Sequence, residues 1–138
     1  MQSSAKEILE KGHILILVYS VPEMGFNVPA LLNKKYLISK IFNKKFEDNV
    51  LSVSYDVYKE RNKMIFNTLD SIKHSNVYRV YPDKYFCNTI IANRCVANSK
   101  DHLFYYDDDH LSSEGSKYVV DGIIKIIKQI EINKKINK

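Results

Sequence analysis

The chain of 138 residues has no tryptophan, only two cysteines, and no window approaching 18 consecutive apolar residues. The missing apolar run excludes a transmembrane helix inside this segment, since about 20 such residues are needed to cross a bilayer core. The shortage of cysteine excludes a four-thiolate zinc site. Cys87 and Cys95, with seven residues between them, also lack the short spacing of a metal-binding pair. Lys6, Glu7, Glu10 and Lys11 break up the N-terminus, so it does not read as a signal peptide. If the chain works outside the cytoplasm, an upstream segment is expected to take it there. Internal repeats and low-complexity linkers are absent too, and with them any sign of a second domain.

What is there suits one domain with a sizeable core. Hydrophobic residues make up 45% of the chain, too many for a disordered or fibrous sequence. The net charge of +5 is concentrated at the end, in Lys125, Lys128, Lys134, Lys135 and Lys138, offset locally by Glu131. Such a run reads first as a solvated helix face and a frayed terminus. No nucleic-acid recognition motif accompanies it, and no nucleic-acid partner is expected.

Ser3 to Lys11 predicts a short helix stopped by Gly12, and His13 to Tyr19 an apolar strand buried on both faces of a parallel sheet. Helix, glycine and buried strand form one unit of an α/β fold. Pro22, Gly25 and Pro29 mark an ordered loop at the strand's C-terminal end, the edge where open α/β sheets bind ligands. Val28 to Phe42 continues as helix, with Leu31, Leu32, Leu37, Ile38 and Ile41 expected as its apolar contacts. Lys44 to Ser52 reads as a connection. Tyr55 to Lys73 is a helix, with Val57, Met64, Ile65, Leu69 and Ile72 near helical spacing. Val77 to Tyr81 alternates as a second strand closed by Pro82, and Asp83 to Cys87 reads as a short helical turn. Ser112 or Ser113 caps a last helix to about Ile132, its apolar face made of Val119, Ile123, Ile126, Ile127 and Ile130. Two strands are few beside a typical sheet of about five or six. Part of the sheet is therefore expected outside this chain, residues 1–138 being one domain's C-terminal portion.

The segment Tyr105-Tyr106-Asp107-Asp108-Asp109-His110-Leu111-Ser112-Ser113-Glu114-Gly115 carries the chemistry. A hydrolytic serine needs an imidazole to take its proton, and the imidazole needs a group that fixes its tautomer and stabilises its positive form. Asp107 and His110, three apart in a turn entering a helix, are placed for that work, the carboxylate on Nδ1 and Nε2 facing a nucleophile. Two other readings stay open on local physics. The Asp107–His110 run offers carboxylates and an imidazole to a divalent ion, although no EF-hand spacing follows. The acidic run also complements the dipole at the N-terminus of the last helix.

Three features together resemble the C-terminal part of the SGNH hydrolase domain fused to membrane acyltransferase-3 proteins. They are the loop Val21-Pro22-Glu23-Met24-Gly25, the cysteine-bracketed segment Cys87 to Cys95, and Tyr105-x-Asp107-x-x-His110-Leu111-Ser112-x-x-Gly115. The resemblance covers roughly Gly12 to Ile127 and implies a three-layer α/β/α, flavodoxin-like sandwich. It implies that Asp107 and His110 are the catalytic Asp-x-x-His pair, that Ser112 caps the helix, and that Gly115 allows its close approach to the sheet. It implies transfer of short acyl groups from an acyl donor to carbohydrate hydroxyls of the cell envelope, or to water. The setting would be the periplasmic or extracytoplasmic face of a bacterial inner membrane, beside an upstream membrane acyltransferase domain. A Cys87–Cys95 disulfide fits that setting. Neither a metal nor an organic cofactor is implied.

The departure is equally plain. The family's nucleophilic serine lies in a Gly-Asp-Ser segment, and this sequence contains none. The earlier glycine and asparagine of the family's oxyanion hole have no match either. Ser3, Ser4, Ser20, Ser52 and Ser54 stand in no nucleophile turn. The chain alone is therefore expected to be catalytically inactive, the Asp–His half of a site; the alternative is a non-catalytic remnant or binding module of the same fold. Tyr105 and Tyr106 are expected either to stack on a sugar ring or to pack half-buried beside the pair. His13, His74 and His102 have no carboxylate partner placed by sequence.

Overall fold

The computed structural model describes residues 2–45 and 49–136. The order is α1 (Gln2–Glu10), β1 (Leu15–Val18), α2 (Val28–Ile41), β2 (Ser52–Ser54), α3 (Tyr55–Asp70), β3 (Val77–Val80), α4 (Asp83–Phe86), β4 (Arg94–Val96) and α5 (Ser113–Ile136). Part of the expected connection between α2 and α3, residues 46–48, lies outside the described residues.

Local chemistry sets these boundaries. Gly12, at φ 77°, closes α1 with bonds from its own N–H to Leu9 and from His13 to Ile8, a Schellman ending that needs a left-handed residue. Asn27 caps α2 through a bond from the Ala30 N–H, and Pro29 occupies the first turn, where no N–H is needed. Ser54 caps α3 by accepting from Val57.

The fold is α/β. β1 and β3 pair in parallel, Leu15 opposite Val77 and Val18 opposite Val80. β2 and β4 pair antiparallel as a separate ribbon, Ser52 opposite Val96 and Ser54 opposite Arg94. That ribbon has no counterpart in the sequence reading, because three-residue strands such as Ser-Val-Ser carry no legible alternation.

The burial of β1 corrects one expectation. Leu15, Ile16 and Leu17 are only half-buried and Val18 is 44% exposed. With β3 as its one strand neighbour among the described residues, β1 lacks the flanking strand and full helical cover that bury a parallel strand on both faces.

The larger core lies elsewhere, around Val28, Phe86, Val96, Phe104 and Tyr105, with Leu31 and Leu32 packed against it. A smaller cluster of Ala5, Leu9, Ile72 and Val77 joins α1 to the parallel pair. On α2, Leu37, Ile38 and Ile41 lean to solvent instead of the core, as do Val57, Met64 and Ile65 on α3, whose packed face carries Tyr55, Tyr58, Phe66 and Leu69. The face of α5 is as expected in Val119, Ile123, Ile126 and Ile130, whereas Ile127 is 43% exposed.

Cys87 and Cys95 form a disulfide between buried residues eight apart. In the chain-entropy treatment, a loop of that size stabilises the fold by about 2–3 kcal/mol. The double variant Cys87→Ala/Cys95→Ala is expected to lose that amount in urea titrations, and an unchanged midpoint would show that the bridge constrains nothing.

Candidate active site

The segment leading into α5 is folded back on itself. Tyr105 and Leu111 face each other as an isolated antiparallel bridge, and the Tyr106 N–H donates to the His110 carbonyl at 2.8 Å. Asp107 sits inside the turn so formed. Its Oδ1 accepts from the backbone N–H of His110 at 2.8 Å and of Asp109 at 3.1 Å. Its Oδ2 lies 2.9 Å from Nδ1 of the His110 ring. Sequence spacing thus becomes geometry, since the backbone bonds that shape the turn also aim the carboxylate at the imidazole.

Ser112 anchors the other end. Its N–H donates to the Phe104 carbonyl, its hydroxyl to that of Leu103, and its oxygen accepts the Gly115 N–H at 3.1 Å as the cap of α5. Gly115 lets α5 approach closely, but what it approaches is the Phe104 backbone rather than a strand of either sheet. A Cβ there would lie 2.2 Å from the Phe104 oxygen.

The loop from Pro22 to Pro29 is strapped to the turn by main-chain bonds. Met24 N–H reaches the Asp108 carbonyl at 2.7 Å, and Val28 N–H reaches the Asp107 carbonyl at 3.1 Å. The Tyr105 hydroxyl donates to the Pro22 carbonyl at 2.6 Å. Residues more than 80 positions apart therefore support one another, as that last bond spans 83. The Met24 and Val28 bonds left no sign in the sequence, because backbone groups carry no residue-specific signal.

The electrostatics follow from the bonds. The His110 and Asp109 backbone N–H groups, and then the His110 ring, hold the Asp107 carboxyl at about 2, below its ordinary value. The Asp107 carboxylate raises the pKa of His110 by hydrogen bond and charge, with smaller help from Asp109 and Asp108. Asp109, 2.8 Å from Nδ1 through Oδ1, is thus a second carboxylate partner of the ring, at a position the Asp-x-x-His motif leaves unspecified. With Nδ1 occupied by carboxylates, Nε2 is the ring atom left for a nucleophile. The His110 side chain is 75% exposed, within reach of one.

One ligand atom each from Asp107, Asp109 and His110 lies within 4.8 Å of the others, so among the described residues these three are placed to share a cation. The same atoms already have an internal use, Asp107 accepting from two backbone donors and the ring.

Two expectations need correction. Tyr105 is fully buried, its hydroxyl spent on Pro22, so it presents no face to a sugar; Tyr106, 74% exposed, is the tyrosine of the two that can. His102 does have a carboxylate nearby, Glu114 at 3.8 Å, brought there by the entry of α5. Among the described residues no hydroxyl is hydrogen-bonded to His110. Ser52 accepts from Arg94, and Ser54 and Ser112 cap helices.

A family model described as "SGNH domain (fused to AT3 domains)" matches residues 1–125. No curated protein and no solved structure matches the chain.

Proposed function

As this chain belongs to the SGNH domain family found fused to AT3 domains, a hydrolase- or acyltransferase-like domain, we propose that it supplies the Asp107–His110 pair of an O-acyltransferase or esterase. The single observation that carries this reading is the carboxylate-to-Nδ1 contact of 2.9 Å, in a turn that leaves Nε2 for a nucleophile.

In the reaction, a serine on a Gly-Asp-Ser segment upstream of this chain attacks the acyl carbonyl. His110 takes the serine proton at Nε2, the leaving group departs with that proton, and the acyl group stays as a serine ester. A carbohydrate hydroxyl, or water, then attacks the ester, His110 again accepting and returning the proton. Asp107 holds Nδ1–H and stabilises the imidazolium in both halves. The acceptor is envelope carbohydrate, and the reaction runs on the extracytoplasmic side of a bacterial inner membrane, beside the membrane acyltransferase domain of the parent protein. Residues 1–138 are then the C-terminal portion of one SGNH domain. A non-catalytic remnant or binding module is the second reading, favoured by one observation, the lack of Gly-Asp-Ser in this sequence.

Fluorophosphonate labelling of the natural gene product, followed by peptide mapping, separates the two. The expected label sits on a serine outside residues 1–138, and His110→Ala slows labelling by roughly 10²–10⁴-fold. A label on Ser20 that disappears in Ser20→Ala would relocate the nucleophile. No serine label at all would favour the binding module.

A further inference from the structure

The loop strapped to Asp107 and Asp108 has a second surface. Its residues Glu23 to Phe26 form one wall of a pocket of about 370 Å³, whose other walls come from the β2–β4 ribbon and the first turns of α3. Two guanidinium groups, Arg61 and Arg94, line this pocket, against one carboxylate, Glu23, among its described lining residues. Arg94 is held in place: Nε donates to the Ser52 hydroxyl at 3.0 Å and a terminal nitrogen donates to the Ser52 carbonyl. A guanidinium has more N–H donors than those two bonds use. Arg61 stands on the exposed side of α3, a turn beyond Val57, and among the described residues neither arginine has an ion pair. The buried Met24 and Tyr58 add apolar surface.

Two cations outside any ion pair among the described residues, outnumbering the single carboxylate Glu23 and set beside apolar surface, suit an oxyanion carried on a compact body. Planar guanidinium groups favour carboxylate and phosphate oxygens in particular. We propose that this pocket binds the carboxylate or phosphate of a substrate, placing the rest of that molecule against the Glu23–Phe26 loop and so toward the turn that carries His110. The acyl-transfer reading enters only in calling the anion part of a substrate; the anion site itself stands on Arg61 and Arg94.

The test is titration of the isotope-labelled chain, followed by NMR at constant ionic strength, with methyl glucuronide, glucose 6-phosphate and neutral methyl glucoside. At least one anionic probe is expected to move the Gly25 and Phe26 amides and the Arg94 Nε–H saturably, while the neutral glucoside does not. Arg61→Gln, at an exposed position that leaves the fold intact, is expected to weaken binding about tenfold, and Arg94→Lys to weaken it by a similar factor. Saturation by glucuronide alone identifies an acidic sugar, and by the phosphate alone a phosphorylated compound; both support the site. No saturable shift with either anion, an equal response to the neutral glucoside, or affinity unchanged in Arg61→Gln overturns it. His110→Ala is expected to bind the anion normally, so a failed labelling experiment and a failed anion site remain distinct results.

Discussion

Replacing Gly115 with alanine is expected to cost the fold about 3 kcal/mol or more, a large share of a typical domain's stability. The added Cβ would fall 2.2 Å from the Phe104 carbonyl oxygen and 3.0 Å from its carbon. Both are backbone atoms, so no side-chain rotation relieves the clash, and either α5 or the Phe104 segment must move. That segment also receives the Ser112 N–H and leads directly into the turn closed by Tyr106 and His110. The displacement therefore reaches the Asp107–His110 pair, and, if the pair acts as proposed, serine labelling of the parent protein falls along with the urea midpoint. Gly122→Ala is the control. Its Cβ would also meet an atom at 2.2 Å, but that atom is the Tyr85 hydroxyl, the far end of a half-buried side chain rather than backbone. A cost of about 1 kcal/mol is expected there, with the pair undisturbed. Equal losses in the two variants would mean that the close approach at Phe104 is not what matters.

Asp107→Asn is expected to lower acyl turnover by roughly 10³–10⁴-fold, with a change in pH dependence that a purely structural lesion would not produce. The amide oxygen still accepts from the His110 and Asp109 N–H groups, so the turn keeps its shape. What changes is the partner of Nδ1. An amide NH₂ facing that nitrogen favours the tautomer protonated at Nε2, which is unable to act as base.

The sign of the pH effect follows from the direction of each shift. His110 has a raised pKa, chiefly through Asp107, and works as a base only when neutral, so the wild-type rate climbs with pH through a value above the ordinary 6.5. Without the carboxylate that limb moves to lower pH, stopping short of the unperturbed value because Asp109 and Asp108 remain. For stability, the depressed Asp107 contributes above the ordinary carboxyl value of 3.8 and loses its contribution as pH falls through about 2. The raised His110 contributes fully below 6.5 and loses its contribution as pH rises through its folded value. The pair thus supports the fold most between about pH 4 and 6.5. A pH–rate profile of the parent protein and an NMR titration of the His110 ring check both parts. A profile that keeps its midpoint in Asp107→Asn would remove Asp107 from any role through the imidazole.

The helices and the Asp–His pair were legible in the sequence because each is written locally. Gly12 ends α1, Asn27 and Ser54 precede α2 and α3, and Asp107 lies three residues from His110, so short-range geometry nearly determines the result. Burial was less legible. Leu37, Ile38, Met64 and Ile65 have the periodicity of a covered face, yet they are left 44% to 79% exposed. Periodicity reports what a helix offers, not what arrives to meet it. Tyr105 and Tyr106 make the same point at the site: adjacent and chemically identical, they point to core and solvent because their segment is extended, and only the bridge to Leu111 decides which goes where. The Arg61–Arg94 pocket was illegible, because its two cations meet only through the β2–β4 pairing.

The strap between the Pro22–Pro29 loop and the Asp107 turn also bears on when the site comes into being. Its bonds join segments near opposite ends of the chain, and the Tyr105–Pro22 bond closes a separation of 83 residues. Contacts of such high order form after local helices have already condensed, since the entropy of closing a long loop must be met first. The Asp107–His110 turn therefore gains the support of the Pro22–Pro29 loop late in folding, after the helices that lie between the two segments have formed.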